Sequence, residues 1–338
     1  MHAGIDYERY LAEKEVTHVE WRNWLEKHGS DAEKRGLMPT SEDRSMDDFE
    51  EDARQRIFMS KDDVAKAQAA NPDANFSIDV VYSILTKEEF ASKILNSIAA
   101  AKRPATAMSY TSATRRPAFV RHGTPATTPC AKEKSKKQKL APIKKTPATT
   151  KAATATKRSS VDWTKSPCIS PVQNQGQCGD CWAFASASVV ESAQCIAGGQ
   201  KSLNKFSEQQ LVSCNTQNYG CNGGAPHCTK TTPGIKGYNV LDVGDEAGLI
   251  KAINQRPTVV TVAAGNEAWK QYTGGVLSSC DTTDLDHLVV AVGYDATSLK
   301  IRNSWGENWG EEGYIHLKRT GSGSGTCSVM EQMVPLEM

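Results

Sequence analysis

No run of apolar residues in this chain approaches the roughly 18 that a membrane-crossing helix needs, so no membrane span is expected. The first 25 residues are polar and lack the apolar stretch of a secretory leader, so no signal peptide is read there. An excess of one charge is missing as well: Lys and Arg number 40 against 39 Asp and Glu, a formal net charge of +1. That balance excludes a chain cationic from end to end and an acidic solvating tail. There is no internal repeat, and no motif calls for a metal or another cofactor.

The balance hides a division. Residues 1–101 carry 13 basic and 21 acidic side chains, residues 102–158 carry 15 and 1, and residues 159–338 carry 12 and 17. A length of 338 predicts about two folded domains. Around Trp21, Trp24 and Leu25, and again over 49–64, apolar residues recur at three- and four-residue spacing among charges, the pattern of amphipathic helices. So charged a block makes a thin core by itself. Residues 1–98 are therefore read as a helical domain that buries its apolar stripe on a partner surface.

Over 99–160 the composition shifts to Ala, Thr, Lys, Pro and Ser, with six of the 14 prolines. Such a segment cannot bury enough surface to offset its ordering entropy and is read as a disordered, protease-sensitive basic linker. Only two aromatic residues, Tyr110 and Phe119, accompany its charge, and no binding motif does, so it implies no specific nucleic-acid binding. Residues 161–338 are the globular part. A helix is predicted over 181–196, stopped by Gly198-Gly199. Strands are predicted over 258–263, 288–294, 299–303 and 313–317, between Gly, Asp and Asn turns. Helix first and sheet after indicates an α+β architecture. Nine of the ten cysteines lie between Cys168 and Cys327, a density typical of an oxidising compartment.

The run Gln175-Gly176-Gln177-Cys178-Gly179-Asp180-Cys181-Trp182-Ala183-Phe184 puts a thiol in the first turn of that helix. The thiolate is the nucleophilic form, and the unpaired N–H groups of a helix start lower a thiol's pKa. Cys178 and Cys181 also fit a Cys-x-x-Cys redox pair, although no thioredoxin-like βαβ pattern precedes them. Downstream, Asp286-His287 opens a strand, and Asn303-Ser304-Trp305-Gly306 begins 16 residues after His287. Singly, a His at a strand start and an Asn in a turn are ordinary. With Cys181 they supply a nucleophile, a base and a group that orients the base.

These blocks, with Ser207-Glu208-Gln209-Gln210-Leu211 and Gly220-Cys221-Asn222-Gly223-Gly224, stand in the order found in the papain-like cysteine proteases, which residues 161–338 resemble. The resemblance implies a two-lobed fold, helical left and β-rich right, with the cleft between. It implies Cys181 as nucleophile, His287 as general acid/base and Asn303 as the orienter of the imidazole. Gln175 would donate to the oxyanion, and Trp305 would shield the Asn–His hydrogen bond. Gly223 and Gly224 would pair with an extended peptide, Asp286 would lie at the substrate site, and Gln332 would lie at the bottom of the principal specificity pocket, favouring apolar or modestly polar side chains. It selects the disulfides Cys178 with Cys221, Cys214 with Cys228, and Cys280 with Cys327, leaving Cys168 with Cys195.

The N-terminal block resembles the family's inhibitory propeptide: Glu50, Arg54, Ile57 and Phe58 fit the start of its helix motif, and Thr86-Lys87-Glu88-Glu89-Phe90 its end. Lys61, Val80, Tyr82 and Ile84 depart from that motif. In the enzyme part, Asp180 stands where Ser is common; it is a candidate N-cap, and its charge is expected to raise the Cys181 pKa. Only six residues separate Cys221 from Cys228, so the left lobe is shortened. The expected protein is thus a cysteine endopeptidase made as a zymogen, monomeric, acting on peptides or proteins, inhibited by its own propeptide, and lysosomal, vacuolar or secreted. The rivals are a non-catalytic peptide-binding relative and a thiol–disulfide oxidoreductase using Cys178 and Cys181.

Overall fold

The computed structural model describes residues 2, 4–39, 44–95, 159–225 and 235–338. The expected linker, apart from its last two residues, and Cys228 lie outside that set. Residues 1–102 and 158–338 form one compact unit.

The N-terminal part begins with two long helices, α1 (Tyr7–Lys34) and α2 (Met46–Ala70). Asp6 and Ser45 start them by accepting hydrogen bonds from the N–H groups of Arg9 and Asp48, which satisfies orphan donors of the first turn. Strand β1 (Ala74–Phe76), a 3₁₀ turn (Val81–Ile84) and α3 (Lys87–Lys93) follow. Thr86 and Glu89 cap α3 reciprocally, a capping box written in the sequence Thr-Lys-Glu-Glu.

The second part carries β2 (Val161–Asp162), α4 (Cys181–Ala197), α5 (Glu208–Cys214), β3 (Gly237–Tyr238), α6 (Glu246–Gln255), β4 (Thr258–Val262), α7 (Glu267–Gln271), β5 (Tyr272–Leu277), β6 (His287–Tyr294), β7 (Ser298–Arg302), β8 (Tyr314–Lys318), β9 (Met333–Val334) and β10 (Leu336–Glu337). The large sheet runs β1-β5-β8-β7-β6-β4-β9, with β2 also paired to β6, and β10 pairs separately with β3. Helix α4 and the four predicted strands fall within one residue of their expected bounds. The α+β, two-lobed expectation holds.

The sheet separates two cores. In β6 every residue is buried, and successive side chains point to opposite faces. Leu288, Val290 and Val292 therefore join Val259 of β4 under α4, packed on Trp182, Val189 and Val190. Val289 and Ala291 face the other way, into a core shared with Val260 and Val262. Each such Val or Leu side chain contributes about 1.5 to 3 kcal/mol by leaving water. Helix α4 is apolar nearly all round and buried from Cys181 to Cys195 apart from Phe184 and Gln194.

The second core includes the N-terminal helices. Trp21 and Trp24, stacked with centroids 5.5 Å apart, lie in one cluster with Tyr82, Phe90, Trp269, Trp305 and Trp309. Trp24 donates its indole N–H to the Val80 carbonyl at 2.8 Å. Strand β1 adds antiparallel to β5, with Ala74 opposite Gly275. Gly275 is required there: its φ is +79°, and a Cβ would stand 2.4 Å from the Asp73 carbonyl oxygen. Asn71 accepts from the Ser278 and Ser279 N–H groups, and Ser83 donates to Gln271 at 2.8 Å. The amphipathic stripe thus closes on the β-rich part.

Most described charges of the block pair inside it, among them Arg9–Asp62, Lys61–Glu13, Arg54–Glu51 and Arg56–Glu89. Among the described residues, Lys87–Asp281 and Lys270–Asp63 are the ion pairs that cross to the second part. Among those residues, too, no helix is long and apolar enough to cross a membrane.

Candidate active site

Helix α4 and strand β6 bring the predicted chemistry together. Cys181 is the first residue of α4 and is fully buried. His287 is the first residue of β6, and the next N–H along, that of Leu288, donates to the Cys181 sulfur at 3.2 Å. His287 Nε2 lies 2.7 Å from Asn303 Oδ1. Asn303 follows β7, the neighbour of β6, and its Oδ1 also accepts from the Ser304 N–H at 2.8 Å. An amide oxygen bound to Nε2 fixes that nitrogen as the protonated one, leaving Nδ1 to exchange a proton. Nδ1 is buried and has no hydrogen-bond partner among the described residues. Burial pushes the imidazole pKa down to about 4, with the Asn303 hydrogen bond opposing.

Trp305 stacks on the His287 ring at 4.8 Å and 24°, covering the Asn–His hydrogen bond. Trp269 meets the same imidazole edge-on at 6.3 Å. Gln175 donates from Nε2 to the Cys178 carbonyl at 2.9 Å and to the Ile94 carbonyl at 3.3 Å, while Oε1 accepts from Ser304 Oγ at 2.6 Å. Its amide is thereby aimed, and a backbone carbonyl of the N-terminal block sits on it. Tyr82 and Phe90 of that block pack edge-on against Trp305 at 5.7 and 5.4 Å. The Arg35 carbonyl accepts from the Gln177 side chain. The N-terminal block therefore lies over the predicted site.

The remaining predicted residues are placed as follows. Gly223 and Gly224 are buried, and Gly223 has φ +104°, which disfavours a side chain. Asp286 accepts from the Ala264 and Gly265 N–H groups at 2.7 and 2.8 Å, and burial pushes its pKa up to about 6. Gln332 is exposed, and its Oε1 accepts from Thr261 Oγ1 at 3.1 Å. Disulfides join Cys168 to Cys195, Cys178 to Cys221, and Cys280 to Cys327. Cys214 is disulfide-bonded, but the Cys228 half of the fourth expected pair lies outside the described residues.

Two expectations need correction. The Cys178–Cys181 redox pair is not formed: Cys178 is bonded to Cys221, whose carbonyl accepts the Gly179 N–H at 2.9 Å. Asp180 is the N-cap of α4 by position, but its side chain makes no capping hydrogen bond. The roles of other participants had no signal in the sequence. Ser304, which orients Gln175, and Trp269, which closes over His287, are identified only by contact. So is the Ile94 carbonyl.

The family model for papain family cysteine proteases matches residues 157–232 and 226–336, two pieces that meet in the short segment after Gly224. Mexicain of Jacaratia mexicana is 35% identical over 201 residues, covering 50% of this chain and 93% of that protein. Papain of Carica papaya is 34% identical over 200 residues, covering 50% of this chain and 57% of that protein. Among solved structures, the ragweed pollen cysteine protease Amb a 11 in its proform aligns with a TM-score of 0.69 at 23% identity, over 98% of this chain and 95% of that one. This last is a likeness of fold, and it spans the N-terminal block as well as the sheet. The motifs, the fold and the matched residues together make this chain a member of the papain family of cysteine proteases.

Proposed function

We propose that the chain is the latent form of a cysteine endopeptidase that hydrolyses peptide bonds through Cys181, His287 and Asn303. The observation that carries this reading is the buried set in which α4 and β6 present the Cys181 sulfur beside the Leu288 N–H while Asn303 holds His287 Nε2. The Cys181 thiolate attacks the scissile carbonyl. The tetrahedral oxygen takes hydrogen bonds from Gln175 Nε2 and the Cys181 N–H. His287 gives its Nδ1 proton to the leaving amine, and water hydrolyses the acyl-enzyme. Gly223 and Gly224 offer backbone to an extended peptide. Asp286 holds the loop after β4 through its two amide hydrogen bonds, and Gln332 gives the specificity pocket a neutral polar end.

Residues 1–98 act as the inhibitor. The Ile94 carbonyl occupies the Gln175 amide that the oxyanion requires. Burial beneath the block also disfavours the imidazolium form of His287, so closure suppresses the thiolate–imidazolium pair as well as blocking substrate. The disulfides suit a lysosomal, vacuolar or extracellular site, where the processed enzyme works as a monomer.

The test is alkylation of acid-processed protein with iodoacetamide or an epoxide. Label is expected on Cys181 alone, with peptide hydrolysis lost in proportion to labelling. Hydrolysis that survives complete labelling of Cys181, or equal labelling of Cys178, would overturn the reading.

A further inference from the structure

The glycine turn that offers backbone to a peptide is held by a side chain with no part in the chemistry above. Gly223 and Gly224 are buried. The Gly223 carbonyl accepts from the Tyr219 N–H at 2.9 Å, whereas the N–H and carbonyl of Gly224 make no hydrogen bond among the described residues. Gly224 is therefore the residue whose backbone is left for an incoming strand.

Asn218 reaches across this turn. Its Nδ2 donates to the Ala225 carbonyl at 3.1 Å, and its Oδ1 accepts from the Ala225 N–H at 3.0 Å. Opposed residues of an antiparallel ladder exchange both bonds in the same way, so the carboxamide stands in for a strand neighbour of Ala225. It also fills the space beside Gly224, where a Cβ would come within 2.6 Å of Asn218 Cγ. Asn218 is placed in turn by Asn215, the C-cap of α5, whose Oδ1 accepts from the Asn218 N–H at 3.3 Å.

The start of α4 anchors only the near end of the turn. Cys178 is bonded to Cys221, Gly179 donates to the Cys221 carbonyl at 2.9 Å, and the Trp182 indole donates to the Gly220 carbonyl at 3.1 Å. Past Gly223, the hydrogen bonds that hold the turn among the described residues come from Asn218. Adjacent glycines have more backbone freedom to lose than any other pair. An edge already ordered spares the substrate that loss, and the saving appears as affinity.

Resting on the reading of Gly223 and Gly224 as the peptide-pairing edge, we propose that Asn218 is a positioning residue for substrate. It sets the affinity for peptides long enough to lie along Gly224 and leaves the Cys181 chemistry untouched.

The test compares acid-processed native protein with Asn218→Ala and Asn218→Asp. The second keeps the shape against Gly224 but turns an oxygen, in place of the donor, towards the Ala225 carbonyl. Active enzyme is counted by Cys181 alkylation, and kcat and KM are measured for an extended peptide and for a single-residue amide too short to reach Gly224. For the extended peptide, KM is expected to rise about tenfold in both variants with kcat within about twofold of native. The short amide should be cleaved with kcat/KM within about twofold of native. Equal losses on both substrates, the mark of a loosened fold, or no loss on either, overturn the proposal. Native protein that favours the extended peptide no more than the short amide would remove the pairing reading and the proposal with it. If no peptide is cleaved, binding is read as protection of Cys181 from iodoacetamide by the extended peptide. A tenfold weaker protection in both variants would then sustain the role of Asn218 while defeating the peptidase reading, and unchanged protection would overturn both.

Discussion

Replacing His287 with Ala is expected to lower kcat/KM by about 10⁴-fold or more, and Cys181→Ala to fall to the same floor, with the double variant no worse than either alone. The reason is that the two groups work as one device. Without His287 the Cys181 thiol loses the cation that stabilises its thiolate, and the leaving amine loses its proton source. Without Cys181 the imidazole has nothing to activate. Asn303→Ala should cost less, about 10- to 100-fold, because Trp305 stacked at 4.8 Å still holds the ring. Gln175→Ala should fall between, at about 10²- to 10³-fold in kcat, the usual loss for one oxyanion donor. Since inactive variants cannot process themselves, each is matured with a trace of native enzyme before rates are measured. A His287→Ala enzyme within tenfold of native, or clearly additive losses in the double variant, would remove the Cys–His mechanism.

The parts legible in the sequence are those whose signal is local. Strands β4 and β6 are continuous apolar runs because both their faces are buried, against α4 on one side and a core that includes Leu249 and Ile253 of α6 on the other. Helix α4 shows its stop in Gly198-Gly199, and α3 its capping box. Strand β5 was not legible, since Thr273-Gly274-Gly275 breaks any alternation, and its partner β1 lies some two hundred residues earlier in the chain. The catalytic candidates were legible because each sits in a motif of several residues. Trp269 was not, because an isolated indole carries no spacing to recognise, and Ser304, though inside the Asn303–Gly306 motif, showed no sign of its hydroxyl's bond to Gln175. Of the acids in the N-terminal block, Glu13, Glu20, Glu50, Glu51 and Asp62 pair between α1 and α2, while Asp63 is the one whose described ion pair reaches the second part. The antiparallel packing of those helices, which decides the partners, is written in neither helix alone.

That internal pairing sets the acid response of the protein. Full-length chain is expected to stay latent on mild acidification and to open only as pH falls from about 4.5 towards about 2. Burial works to raise the Glu51 carboxyl, but hydrogen bonds from Gln55, Tyr10 and Arg54 overcome it and bring the pKa down to about 2. Asp52 and Glu89, both facing Arg56, and Asp79, beside Lys27 and His28, are likewise lowered against the effect of their own burial. A carboxylate whose pKa is lowered by folding contributes stability that is present above its unfolded value and lost as pH drops through the folded one. Acid therefore unfolds the block from within, and Ile94 leaves Gln175 as a consequence. At the interface the sign reverses. Asp63 of α2 is raised by burial and by Glu267 of α7, although Lys270 lies 3.6 Å away. Its cost as an anion is felt at neutral pH and relieved as it gains a proton, so mild acid tightens the closed form. Asp63→Asn should remove that cost. The full-length variant is expected to melt about 2 to 4 °C higher than native at pH 7, equivalent to about 1 kcal/mol, with the gap closing by pH 4. Latency is read as peptide hydrolysis after timed exposure at each pH, and stability as the melting temperature. Activation between pH 7 and pH 6 would show that these carboxylates are not the trigger.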